Sequence, residues 1–274
     1  MAEEFEVVPR ENQAKVTMSN RLARSAQGLS LSEKRIVALA LANEDSKSTS
    51  RLAEASTEHG WKTRIKAIDY VEAFNIDSNT AYDQLKAASE RLFERVVTYE
   101  DKNSRGKLRI TKFRWVSVAS YTAGDGHIEI NFTPEIAPHL LGLRSHFTSY
   151  KLKHAASFES IYAWRLFEVF ESWRSTGLYT SSIEDFWETM EAPPSCRKDF
   201  KSLRVRVIEP SVRAIQEHAG LKIEWKPIRS GARRVTSLEF RFGPDPQGKL
   251  DLGLREESPV FVVSDAPPMS LTNP

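Results

Sequence analysis

Cysteine is almost missing from this chain: Cys196 is the single one in 274 residues. No intrachain disulfide is therefore possible, and no cysteine cluster holds zinc. Long apolar runs are also missing, with none near the roughly 18 residues of a membrane span. The first residues carry Glu3, Glu4, Glu6 and Glu11 and lack the basic-then-apolar layout of a secretion signal. These absences predict a soluble, cytoplasmic protein with no membrane association.

Catalytic patterns are scarce too. The histidines at 59, 127, 139, 146, 154 and 218 form no helical ligand pair and no His-x-His, which leaves metal-assisted strand nicking without machinery. His127 and His139 read as structural. Residues 243–249 match the spacing of a phosphate-binding loop. However, Leu250 replaces the magnesium-binding Ser/Thr and two prolines remove amides from the cradle. Glu184, Asp185 and Glu188 are acids at a helix start, where the macrodipole favours them. No Ser/His/Asp arrangement stands out. The expectation is a protein that is not an enzyme, with no cofactor and no metal.

What the chain does have is charge, unevenly placed. The net charge is only +2, yet residues 197–241 hold twelve Lys/Arg against five Asp/Glu. A basic helix carries Arg197, Lys198, Lys201, Arg204, Arg206 and Arg213. After the Gly220 turn, a hairpin pairs 221–228 with 235–240 around a tip holding Arg229, Ser230, Gly231, Arg233 and Arg234. A concentrated positive field on a helix and a β-wing is the footprint of a duplex-DNA reader.

Apolar periodicity and caps organise the rest. Residues 1–19 read as a flexible arm. Ser30-Leu31-Ser32-Glu33 is a capping box ahead of a helix to about Asn43. A strand over 61–68 follows, then a short helix capped by Asp69-x-x-Glu72, and a longer helix from Thr80 to about Arg95. Strands are expected over 97–100 and 108–117, and a hairpin of 118–121 with 127–132 around Gly124-Asp125-Gly126. A short helix is expected from Thr133 through Leu141. The order then recurs: an amphipathic helix over 157–173, a strand over 179–181, a helix capped by Ser182-x-x-Asp185 and ended by Pro193-Pro194, the basic helix, and the hairpin. Residues 243–274, with six of the thirteen prolines, read as a disordered tail. The fold class is α+β: two tandem winged-helix domains, 20–143 and 144–242, each a helical bundle with a β-hairpin wing.

Phe200, Leu203 and Val207 share one stripe and face the core. That turns Lys198, Ser202 and Val205 outward with Lys201 and Arg206 on the flanks, while Arg204 reaches out along its stem. Arg or Lys reads guanine in the major groove and Ser reaches several base edges. Arg197 and Lys198, taken as the helix start, meet a phosphate beside free amides. Pro210 predicts a kink or break near 207–209. The candidate DNA-binding residues are thus Arg197, Lys198, Lys201, Ser202, Arg204, Arg206, Arg229, Arg233 and Arg234. In the first half, Lys86, Arg91 and Arg95 alternate with Asp83, Glu90 and Glu94, as on a salt-bridged surface. Lys102, Arg105, Lys107 and Arg109 sit in its hairpin, and its extra strands offer a dimer edge.

Over 16–242 the chain resembles the iteron-binding plasmid replication initiator (Rep) family of theta-type replication. The resemblance rests on Asn20-Arg21-Leu22, Leu29-Ser30-Leu31-Ser32-Glu33-Lys34-Arg35 and Phe147-Thr148-Ser149-Tyr150-Lys151-Leu152. It also rests on Trp164-Arg165-Leu166-Phe167-Glu168, Val207-Ile208-Glu209-Pro210 and Val235-Thr236-Ser237-Leu238-Glu239-Phe240. It implies a non-enzymatic initiator that binds origin direct repeats as a monomer, helps open the adjacent duplex, and recruits host initiator, helicase and primase. It further implies a homodimer, in equilibrium with the monomer, that represses its own gene at an inverted repeat. On that resemblance the second winged helix supplies the main groove helix, and the first supplies dimerisation and further DNA contact. A dedicated winged-helix transcriptional repressor without a replication role is the alternative.

Overall fold

Val16 and Met18 are buried while their neighbours are not, and this alternation makes β1 (Lys15–Ser19) a strand. It pairs antiparallel with β7 (Phe147–Lys151), with Val16 opposite Tyr150 and Met18 opposite Thr148. The computed structural model describes residues 14–43, 58–102, 104–122, 124–141, 143, 145–230 and 234–246. The predicted arm is therefore corrected from Lys15 onward. Its strand partner lies far along the sequence, beyond any local pattern. Residues 1–13 and the tail from 247 lie outside the described residues.

The first unit runs α1 (Asn20–Arg24), α2 (Leu31–Asn43), β2 (Trp61–Lys66), α3 (Ala67–Phe74), α4 (Ser78–Glu94), β3 (Val96–Lys102), β4 (Leu108–Arg114), β5 (Val116–Tyr121) and β6 (His127–Phe132). Strands order β2-β6-β5, and β3 with β4 forms a separate hairpin. At the start of α2, Glu33 reaches back to accept from the Ser30 amide at 3.0 Å, one half of the predicted box. The box expected at Asp69 does not form. Helix α3 begins at Ala67, whose amide donates to the Gly126 carbonyl at 2.8 Å, so the β5–β6 turn does the capping. The single strand expected over 108–117 breaks at Trp115. That side chain is fully buried and its indole donates to the Gln27 carbonyl at 2.8 Å. The helix expected after Thr133 shrinks to one 3₁₀ turn, Ala137–His139.

The second unit follows as α5 (Leu152–Ala156), α6 (Ile161–Ser172), β8 (Leu178–Ser182), α7 (Ile183–Met190), α8 (Pro194–Lys198), α9 (Phe200–Leu203), a π-helical turn (Arg204–Ile208), α10 (Glu209–Ala219), β9 (Leu221–Ser230) and β10 (Arg234–Pro244). Its sheet orders β8-β10-β9. Phe240 anchors the core, with its ring centroid 5.4 Å from Phe170, 5.8 Å from Phe186 and 6.0 Å from Tyr179. Helix α6, expected to be amphipathic, is buried on every side from Ala163 to Glu171. Its charged residues are met inside the protein, Glu168 by Lys34 of α2 and the Tyr150 hydroxyl of β7, and Arg165 by the Ser25 carbonyl.

The units share a plan: strand, short helix, longer helix, hairpin. In both, the short helix ends on a non-glycine residue in the left-handed conformation, Asn75 (φ 49°) and Glu191 (φ 50°). An aspartate then caps the longer helical run in each, Asp77 directly at α4 and Asp199 at α9, after the intervening α8. Among the described residues no helix is long and apolar enough to cross a membrane.

Candidate nucleic-acid interface

The basic segment is two helices rather than one. Asp199 adopts an extended conformation (φ −136°, ψ 115°) that ends α8 and starts α9. Its carboxylate accepts from the Lys201 amide at 3.2 Å, the Ser202 amide at 2.9 Å and the Ser202 hydroxyl at 2.8 Å. Those bonds, from Ser202 foremost, hold the carboxyl below its ordinary range. This corrects the expectation of a phosphate at a free helix start, since a side-chain anion already occupies that place. Reading Asp199 as a cap directly before Phe200 is a sequence signal that the longer basic run obscured.

Arg197 belongs to α8, where it donates to the Ala192 carbonyl at 2.7 Å and pairs with Glu188. Beyond Asp199 the helical run from Phe200 to Ala219 is continuous, so of the expected kink or break the break does not occur. The chain accommodates Pro210 by widening instead. The Glu209 amide donates to the Arg204 carbonyl in the π-turn, so the amide that proline lacks follows an already shifted hydrogen-bond ladder. Leu203, Val207, Ile208 and Ile215 face the core. Lys198, Lys201, Arg204, Val205 and Arg206 are exposed, and Arg204 lies 3.4 Å from Glu209.

The wing stands beside this run. Arg229 and Arg234 are exposed on adjacent strands, and Arg234 lies 3.6 Å from Glu184 on α7. Arg233 falls outside the described residues. A cleft of about 330 Å³ separates wing from helix, with Trp187, Arg197, Lys198, Phe200, Arg229 and Arg234 on its walls. Arg197 and Lys198 of α8 thus face Arg229 and Arg234 of the wing across this cleft.

The equivalent face of the first unit is different. Arg91 and Arg95 do not pair along α4 as expected. They converge on buried Glu33 of α2, with the Arg95 Nε at 2.7 Å and the Arg91 Nε at 3.4 Å. Lys86 stacks on the Tyr121 ring at 4.3 Å. The β4 side of the hairpin exposes Leu108 and Ile110, 64% and 55% accessible. His139 meets the Ser19 hydroxyl at 2.9 Å, and His127 the Asp125 carbonyl at 3.0 Å. Among the described residues no group of three His, Cys, Asp or Glu side chains could hold a metal.

Residues 15–171 match the family described as Initiator Replication protein, WH1, and residues 182–242 match Initiator Rep protein, WH2. The chain belongs to the initiator replication protein family. The family resemblance and the two winged-helix domains read from the sequence both hold. The WH1 match takes in α6, which the sequence reading placed in the second unit. An Escherichia coli relative, an uncharacterized 27.6 kDa protein, is 25% identical over 79% of this chain and 91% of its own length. A "Probable replication protein rep" of Bifidobacterium longum (strain NCC 2705) is 23% identical over 65% of this chain and 57% of its own. The PI protein of Escherichia coli is 21% identical over 84% and 83%. Among solved structures, the Pi initiator protein in complex with iteron DNA superposes with a TM-score of 0.70 at 20% identity, over 87% of this chain and 100% of that one. At that identity the likeness supports the fold of this initiator.

Proposed function

We propose that this initiator is a sequence-specific DNA-binding protein of plasmid replication. It binds direct repeats (iterons) at an origin, promotes opening of the adjacent duplex and recruits host initiator, helicase and primase. The carrying observation is the cleft that brings Lys198 of α8 together with Arg229 and Arg234 of the wing, with exposed Lys201, Arg204 and Arg206 on the helical run that follows. The family match and the likeness to a protein solved with iteron DNA support the same reading. In it the α9 run and π-turn enter the major groove, with Lys201 and Arg206 at base edges. Wing arginines, Arg233 included, hold the backbone. Ser202, already donating to Asp199, contributes only as an acceptor, and Arg197 must leave Glu188 to reach a phosphate.

The work is binding rather than catalysis, in the cytoplasm, with no cofactor. Strand β5 is one of the two edge strands of its sheet and exposes Val118 and Tyr121. An edge of this kind pairs with a second copy, which gives the homodimer that represses its own gene. A dedicated repressor would share all of this chemistry. The test is replication itself. A plasmid that carries the cognate repeats should replicate only when the gene is supplied, and replication without it refutes the initiator reading.

A further inference from the structure

Val205 is the one large apolar side chain exposed on the α9–π-turn–α10 run among the described residues, at 49% accessibility. It stands between two exposed arginines, Arg204 and Arg206, with exposed Lys201 one turn before. A regular helix advances about 100° per residue, so buried residues four apart, Leu203 and Val207, leave the three between them on the outer side. The π-turn, closed by the Glu209 amide on the Arg204 carbonyl, keeps Leu203, Val207 and Ile208 in the core. Residues 204–206 are exposed together, and the apolar residue is the central one.

A β-branched side chain in a helix occupies essentially one rotamer, so the two Val205 methyl groups are presented with almost no torsional freedom. The major-groove edges of the four bases offer one apolar feature, the C5-methyl of thymine. We infer that Val205 is a specificity residue that reads a thymine methyl within the repeat, while the flanking cations meet phosphates or purine edges. The inference rests on the reading that this helix enters the major groove.

Replacing one thymine by deoxyuridine removes only the methyl and leaves every hydrogen-bonding group in place. A duplex would be recovered from a random-sequence pool with the full-length chain, and each thymine in it replaced singly by deoxyuridine. Wild-type protein is expected to lose about fourfold in affinity at one thymine per repeat, the worth of one buried methyl. Val205→Ala, a change at an exposed helical position, is expected to bind the thymine duplex about fourfold more weakly and to be indifferent to deoxyuridine. Wild-type indifference at every thymine overturns the inference, and so does a deoxyuridine loss of equal size in Val205→Ala. If the pool yields no preferred sequence, the groove-reading proposal falls with it. A preferred sequence without a methyl effect removes the Val205 role alone.

Discussion

The side chains of Lys34 and Glu168 are both fully buried and 2.6 Å apart. Burial pulls the Lys34 ammonium below its ordinary pKa, and the Glu168 carboxylate opposes that pull. Glu168 also accepts from the Tyr150 hydroxyl at 2.7 Å, and Lys34 donates to Gln27 at 2.8 Å. Removing one member of such a pair strands a charge in the interior. Lys34→Met is therefore expected to cost about 3–5 kcal/mol in chemical denaturation, and Lys34→Met with Glu168→Met is expected to cost less than the single change. At the surface, Glu129 is held to about 2 by hydrogen bonds from Arg64 and Lys62. Its folded value lies below its unfolded one, so its contribution is complete above the unfolded pKa, about 4.3, and is lost as pH falls toward about 2. An NMR titration of the Glu129 carboxyl should show that low midpoint, and Arg64→Ala should raise it.

At the scale of elements, the basic run from Phe200 to Ala219 depends on how it starts and how it passes Pro210. Three hydrogen bonds from two residues close on Asp199. Asp199→Ala opens the first turn, and the expected loss is about 1 kcal/mol of stability. Binding to the selected duplex should fall with it, since Lys201 and Ser202 lose their fixed backbone. Asp199→Asn, which keeps a side-chain acceptor, should retain both. Unchanged DNA affinity in Asp199→Ala would separate the cap from the interface. The π-turn carries the run past Pro210, with the Glu209 amide donating to the Arg204 carbonyl.

On the scale of the molecule, the link between α1 and α2 is where the units meet. The Gly28 amide donates to Glu191 at 2.7 Å, Arg165 donates to the Ser25 carbonyl at 3.0 Å, and Trp115 donates to Gln27. Glu191, in its left-handed cap, also pairs through its carboxylate with Arg165. A single buried core runs through both units, and the cationic face is carried on one side of the second. Two classes of DNA effect should follow from that placement. Lys201→Ala or Arg206→Ala should weaken binding to the selected duplex by about 1–3 kcal/mol and to random duplex much less. Arg234→Ala should weaken both alike and flatten the slope of log affinity against log salt by about 0.9. Equal losses on the two duplexes for every helix variant would mean that the helix reads no base.

Local physical chemistry was enough for much of this protein. Apolar spacing marked the α2, α4, α7 and α10 helices, glycine turns marked the β5–β6 and β9–β10 hairpins, and the charge surplus of residues 197–241 marked the face. These features depend on neighbours a few residues apart, so the sequence by itself determined them. What it did not determine depends on distant partners. Strand β1 exists because β7 lies beside it, the charged residues of α6 are buried because Lys34, the Tyr150 hydroxyl and the Ser25 carbonyl meet them, and α3 starts where the Gly126 carbonyl waits. The π-turn is a further case, in which Leu203, Val207 and Ile208 stay in the core while the Glu209 amide reaches the Arg204 carbonyl. A side chain's facing is settled by what it packs against, and only the tertiary structure supplies that.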